Sequence, residues 1–441
     1  MKKLLLLAFL AAACFTPSQG QDTLKVTFEE AITIGLESNQ DYQMLQNEQE
    51  LLRTEKQAAT AAIFPRVGIS NSLTLQSGQQ SQLVEGEYIF TSINNKRIYS
   101  GLSAELPLYN GGRIANQRKA ASLVEEAGAH RLERGRQELV YLIAQQYLQV
   151  LLDEELYHLA LENLNNQKEQ LRQIKGFVEV GLNTLSDQYN QQSEVARLET
   201  VALNAQITLE NDLWKMAELL QLPSGTFPQL DPVDIGAIPN TDLLELGPDA
   251  LYELAVDHRK DFQAQRLFAM AGKKQLAASR AGFFPQLSAF FNYNSFYTSL
   301  DQRSFSDQFL NIYPQRAIGL NLSIPIFNNY TTKLHVARGR AEMKNRELEL
   351  QAIERVLYQE TKLAYENFKA AIRRQASTEV QLKAATEAQL AIHEKFKLGL
   401  ANFVDLAQAN QQLATAQSDH AQARYTLYFQ EILLKYTVGM L

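Results

Sequence analysis

The strongest constraint on this 441-residue chain is that it is written twice. Ala31 to Gln43 (AITIGLESNQDYQ) parallels Leu251 to Gln263 (LYELAVDHRKDFQ), and Phe64-Pro65 answers Phe284-Pro285, both at an offset of 220. Leu106-Pro107-Leu108-Tyr109-Asn110 answers Ile324-Pro325-Ile326-Phe327-Asn328, and Val180-Gly181-Leu182 with Asp187 answers Leu398-Gly399-Leu400 with Asp405, both at 218. One such pair can arise by chance, but four in the same order mark a tandem duplication of about 200 residues. The halves run over 21–222 and 248–441. Between them lies a linker, 223–247, with Pro223, Pro228, Pro232, Pro239 and Pro248 crowded at the join.

Proline is absent between Pro107 and Pro223 and after Pro325. In the first of these stretches Ile143, Val150, Tyr157, Leu164, Leu171 and Val178 recur every seventh residue, the seam of a coiled coil. The second half keeps Phe368, Leu382 and Phe396 in that seam, while Gln375 and Gln389 interrupt it. A helix over 112–180 would run roughly 100 Å at 1.5 Å per residue. Two shorter helices per repeat, 27–63 and 184–221 in the first, together match that length.

Between the helices the period changes to two. Ile318, Leu320, Leu322, Ile324 and Ile326 alternate with Gly319, Asn321 and Ser323; Ile98, Leu102, Ala104, Leu106 and Leu108 alternate with Tyr99, Gly101, Ser103 and Glu105. Their partners, Val67 to Leu75 and Leu287 to Tyr293, do the same. The spacing predicts strands over about 66–76, 97–108, 286–296 and 316–327, close to the ~9–11 residues that cross a bilayer at a tilt. Phe64, Tyr109, Phe283, Phe284 and Phe327 stand at the helix-side ends, where an interfacial aromatic girdle would lie. Two soluble hairpins covering a core would alternate similarly, but the small polar set suits a wet lumen. Four strands cannot close a barrel, and an open edge in lipid leaves backbone groups unsatisfied. The chain must therefore oligomerise. Two copies give a filled eight-stranded barrel, whereas three give twelve strands and room for a pore.

Lys2 and Lys3 followed by the apolar run Leu4 to Ala13 read as a secretory signal over 1–20, with Ser18 and Gly20 placed for cleavage before Gln21. A second reading makes Cys14 a lipidated N-terminus. Cys14 is the sole cysteine, which excludes a disulfide framework and any multi-cysteine metal site. With 42 Lys and Arg against 49 Asp and Glu, the net charge is −7, and with no basic tract nucleic acid is not an expected partner. His130, His158, His258, His335, His393 and His420 are scattered; His393-Glu394 begins an H-E-x-x-H pattern that Lys397 breaks. No phosphate-binding glycine loop occurs. The sequence therefore predicts neither an enzyme nor a cofactor, and leaves a passive duct or a structural coiled-coil tether across the envelope.

The signal, the duplicated helix–hairpin–helix plan, the Phe-Pro openings, the Leu-Pro-Leu-Tyr-Asn-Gly-Gly and Ile-Pro-Ile-Phe-Asn-Asn exits and the Val-Gly-Leu turns together resemble the TolC-type outer-membrane efflux proteins. The resemblance covers essentially the whole mature chain. It implies a mainly α fold with a membrane β-barrel part: a homotrimer in the bacterial outer membrane, one 12-stranded barrel and a long helical tunnel in the periplasm. It also implies that the helix tips meet a periplasmic adaptor joined to an inner-membrane pump. Those tips are Val180, Gly181 and Leu182, and Leu398, Gly399 and Leu400. The resemblance places a periplasmic gate at Asp187 and Asp405, with Ser186 and Phe396 beside them. Thr184-x-x-Asp187 and Asn402-x-x-Asp405 also fit helix caps, so capping and gating are both open for these aspartates. An arginine that helps hold some members closed would fall at Ala401. The chain also stops at Leu441, without the extension some members carry.

Overall fold

The computed structural model describes residues 23–233 and 241–441, so the signal and Cys14 lie outside the described residues. The chain divides into two compact units. One gathers the residues up to Asn47 with Arg131–Gln263 and Ile353–Leu441; the other joins Glu48–His130 to Ala264–Ala352.

Each repeat opens with a broken helix. In the first, α1 (Phe28–Ser38) ends at Asn39, whose ψ of 123° is extended, before α2 (Gln40–Ala61) resumes. The expected single helix over 27–63 is thus two helices. The second repeat breaks at the equivalent place: after a single-turn helix α5 (Asp242–Glu245), α6 (Gly247–His258) stops at Arg259, ψ 117°, and α7 (Lys260–Arg280) follows. Thr27 starts α1 with a capping box to Glu30. The faces buried also repeat: Ala31 and Gly35 in one half, Leu251 and Ala255 in the other. Gly35 lies so close to Ile143 that a Cβ there would collide with its side chain.

The long helices are equal. α3 (Arg113–Glu179) and α8 (Thr331–Lys397) each have 67 residues. Their partners are α4 (Leu185–Leu219) and α9 (Phe403–Val438). Of the predicted seam, Ile143, Val150 and Leu164 are buried, and Leu164 packs with Val195, Leu198 and Ala202 of α4. The first repeat's core centres on Ile143, Tyr147, Met216 and Leu220; the second's on Leu357, Phe368, Leu427 and Leu434. Within the presumed linker, β4 (Phe227–Leu230) pairs in parallel with β1 (Thr23–Val26). The Tyr147 hydroxyl donates to the carbonyls of Val26 (3.1 Å) and Asp231 (2.7 Å), which ties this small sheet to α3. Burial pushes the Tyr147 hydroxyl up to about 12.

In the other unit, β2 (Arg66–Val84), β3 (Glu87–Tyr109), β5 (Gln286–Thr298) and β6 (Gln315–Ser323) form one antiparallel sheet in that order. The two repeats therefore meet along β3 and β5. The strands depart from the sequence expectation in two ways. The first hairpin does not stop near residues 76 and 97; its ladder runs on to a two-residue turn at Glu85 (φ 53°) and Gly86 (φ 87°), the left-handed pair that tight hairpins require. β6 ends at Ser323 rather than 327, because Pro325 has no N–H with which to continue the ladder. Pro107 likewise shifts the β3–β5 register between Pro107 and Tyr109.

Where the first hairpin has a long ladder, the second has a folded loop. Asp301 binds the Arg303 guanidinium (2.7 Å) and accepts from the Tyr313 hydroxyl (2.7 Å). Buried Gln308 donates to the carbonyls of Asp301 and Arg303 and accepts from the Thr298 N–H. Tyr313 stacks on Phe296 at 4.1 Å.

Candidate functional site

Two regions carry chemistry that the fold alone does not use: the faces of the four-stranded sheet and the tips of the long hairpins. Directly opposed residues in an antiparallel ladder share a face. Ile318, Leu320 and Leu322 stand opposite Phe291, Ala289 and Leu287. Phe291 and Tyr293 continue to Ala104 and Leu102, and those to Val67 and Ile69. The row Val67, Ala104, Phe291, Ile318 is apolar from edge to edge and uncovered, with Ile318 85% exposed, while the next row runs from Ile69, 72% exposed, to Arg316 on the β6 edge. The reverse face carries Gly68, Ser70 and Ser72, then Ser103 and Gly101, then Ser288, Asn292 and Asn294, then Asn321. One row on it runs Arg66, Glu105, Phe290, Gly319, in which the Phe290 ring lies across the glycine; a Cβ at Gly319 would meet its Cζ at 2.7 Å. Among the described residues the two edge strands, β2 and β6, have no outer partner. Phe64, Tyr109, Phe283, Phe284 and Phe327 are all exposed at the helix-side end.

At the tips, both long helices finish in the same way. Leu182 N–H bonds back to the Phe177 carbonyl (2.8 Å) and Gly181 N–H to Val178 (3.1 Å); Leu400 bonds to Lys395 (2.8 Å) and Gly399 to Phe396 (3.0 Å). This double closure needs a left-handed residue, supplied by Gly181 (φ 77°) and Gly399 (φ 71°). The next helices begin with capping boxes. The Asp187 carboxylate accepts from the Thr184 N–H (3.0 Å) and hydroxyl (2.8 Å), and Thr184 Oγ1 accepts from the Asp187 N–H (3.2 Å). Asp405 and Asn402 repeat this pattern. Ser186 is exposed and Phe396 half-buried. The loop side chains are apolar yet open to solvent: Val180, Leu182, Leu398 and Leu400 are each about 70% exposed, and Leu185, Tyr189 and Val404 extend the surface. Above the tips, Gln191 is buried against Gln167, and Asn410 donates to Gln170 and accepts from Gln389. Gln389 therefore breaks the apolar seam in exchange for a hydrogen bond.

No helix among the described residues is long and apolar enough to cross a membrane, and none of their His, Cys, Asp and Glu form a group of three suited to a metal ion. What distinguishes the molecule is instead one two-faced open sheet built by both repeats and, in each repeat, a pair of long helices. The sequence profile of the family described as outer membrane efflux protein matches residues 32–220 and again 251–439. The chain belongs to that family. Its two matches coincide with the two repeats. Among individual proteins, the chain is similar to the outer membrane protein TolC of Salmonella enteritidis, 23% identical over 401 residues, covering 87% of this chain and 76% of that protein. The alkaline protease secretion protein AprF of Pseudomonas aeruginosa is 19% identical over 427 residues, covering 96% of this chain and 86% of its own. Of solved structures, the outer-membrane channel OprN superposes with a TM-score of 0.80 at 19% identity, over 93% of this chain and 89% of that one. VceC of Vibrio cholerae gives 0.78 at 15%, over 93% and 96%. As a member of this family the chain is an outer membrane efflux protein and not an enzyme.

Proposed function

We propose that this chain is the outer-membrane exit duct of an efflux or secretion assembly, acting as a homotrimer. The observation that carries the reading is the sheet with one apolar and one polar face and two unsatisfied edges. In lipid those edges must pair, and three copies supply twelve strands, enough for an aqueous lumen. The apolar face then meets outer-membrane lipid and the serine, asparagine and glycine face lines the passage. The chain carries no nucleotide-binding loop, so energy comes from an inner-membrane pump reached through a periplasmic adaptor. The export signal over 1–20 delivers it there.

The tips are the docking surface. Apolar side chains around a left-handed glycine are costly to leave in water without a partner, and a helical hairpin of an adaptor is the partner that their size and chemistry fit. In the double variant Leu182→Asp, Leu400→Asp, the purified protein should keep a trimer's mass and conduct in planar bilayers. Cross-linking to the adaptor and efflux by cells should both be lost. Surviving efflux would move docking elsewhere; a non-conducting wild type would replace the duct by a tether.

Asp187 and Asp405, with Ser186 and Phe396 nearby, form the periplasmic constriction in this reading. Three copies of each carboxylate around one axis would favour cations and bind multivalent ones. Asparagine preserves a side-chain acceptor for capping while removing the charge. The channel with Asp187→Asn and Asp405→Asn should lose cation preference and block by multivalent cations, with little change in melting temperature. Unchanged selectivity beside a lowered melting temperature would assign both aspartates to capping alone.

A further inference from the structure

Between α3 and α4, two carboxyl groups are buried side by side. Asp153 is 5% exposed and Asp212 6%. One oxygen of each has a donor: Asp153 Oδ1 accepts from Gln149 Nε2 (3.0 Å), and Asp212 Oδ1 from Lys215 Nζ (2.5 Å). The remaining oxygen of Asp153, Oδ2, is buried with no donor on it. The Asp212 carboxyl stands within hydrogen-bonding reach of the Asp153 side chain. Two ionised carboxylates in that position would repel each other in a poorly solvated place, so the contact is attractive only with a proton in it.

We propose that Asp153 and Asp212 hold one proton between them and so form a pH-sensitive tie between helices α3 and α4. Among the described residues no other charge takes over that role. The cation on the pair among them is Lys215, which already serves Asp212 and whose side chain is 65% exposed. Gln146, which is neutral, donates to the Asp212 carbonyl (2.9 Å) and also lies beside the Asp212 carboxyl. On α3 the nearby Glu155 is turned to Arg424 of α9 (2.6 Å). Asp41 of α2 and Glu218 of α4 line the same hollow as Gln146 and Lys215 and add no positive charge. A divalent cation would have to displace the Lys215 ammonium; a proton displaces nothing.

Burial, and then the neighbouring carboxyl, push Asp153 up to about 7. Burial also acts to raise Asp212, but the bonds from Asp153 and Lys215 outweigh it and hold Asp212 below the usual carboxylate range. The direction of the effect follows. A solvated aspartate titrates near ~4, so from about pH 4 to 7 the closed pair holds a proton that the opened pair releases. Stability of the tie falls as pH rises through that window and levels off above it. The depressed Asp212 acts in the opposite sense only at more acid pH. The tie is therefore strongest in mildly acid medium and weakened, at constant strength, in alkaline medium. It stands independently of docking and gating.

The test uses the purified full chain in detergent. Infrared difference spectra between wild type and Asp153→Asn should show a protonated-carboxyl band at pH 6 that titrates away with a midpoint near 7. Hydrogen-exchange protection of α4 around Asp212, corrected for intrinsic rates, should fall roughly tenfold from pH 5 to 6 and about fivefold more by pH 7 in wild type. In Asp153→Asn, whose amide can donate to Asp212 without titrating, it should stay flat. Asp212→Asn is the second variant, and it should lower the midpoint of the band. An equal slope in wild type and Asp153→Asn, no band at pH 6, or a midpoint unmoved by Asp212→Asn would each overturn the proposal.

Discussion

Arginine in place of Leu320 should abolish assembly of the proposed barrel, whereas arginine in place of its neighbour Asn321 should be tolerated. Leu320 lies in the row with Ala289 and Leu106, on the apolar face, and Asn321 lies in the row with Ser288 on the polar one. A charge facing lipid near the midplane costs roughly 2–4 kcal/mol, and a homotrimer incurs it three times. The same side chain turned towards water costs little. Outer-membrane fractionation and the mass of the extracted complex read the difference, and equal behaviour of the two variants would contradict the facing of the strands. The contrast is sharp because a strand's side-chain period is two: moving by one residue reverses the environment completely.

The second large effect is expected away from membrane and tips, at the helix break of the second repeat. The Arg259 guanidinium is buried, doubly bonded to Asp261 and paired with Glu360 at 2.5 Å. Burial acts against its charge, but these two carboxylates outweigh that and raise it above the ordinary arginine range. Arg134 stands 3.8 Å from the same Asp261, lies over the Tyr436 ring and donates to the Tyr436 carbonyl. Gly439 closes α9 against the break, where a Cβ would come within 3.0 Å of the Arg259 nitrogen. Replacing Arg259 by methionine keeps most of the volume but leaves Asp261 partly buried without its main partner, a situation that typically costs about 3–5 kcal/mol. Denaturant unfolding followed by circular dichroism should show that loss. Adding Asp261→Asn should restore part of it, since the stranded charge is then gone. If the second change restores nothing, packing rather than charge sets the role of Arg259.

Periodicity carried much of this architecture in legible form. The seam through Ile143, Val150 and Leu164, the alternation around Leu320, and the cap at Thr184 all arise from local geometry, which a sequence displays directly. The upper part of the first hairpin did not read as strand, because Gln76 to Gln82 is glutamine, serine and glycine with little preference for a sheet. The signal that could have found it was Glu85-Gly86, a short turn suited to left-handed residues. The Arg259 cluster and the Asp153–Asp212 pair were invisible for another reason. A charged residue on a long helix reads as solvated, and only the approach of a second helix far along the chain buries it. The repeats did offer a hint, since Arg259 stands where the first half has Asn39, and a substitution of that kind at matched helix breaks marks a place where the halves are held differently.

The two hairpins hang between paired prolines, Pro65 to Pro107 and Pro285 to Pro325, and the two spans differ in length by only two residues. From nearly the same quantity of chain, one copy has become strands of 19 and 23 residues, the other strands of 13 and 9 with a folded loop between them. Both leave the rungs with alternating apolar and polar faces intact. The two copies therefore differ at this end in the letters and hardly in the length: a cassette of nearly fixed size holds either a tall ladder or a folded cap on the same base of rungs.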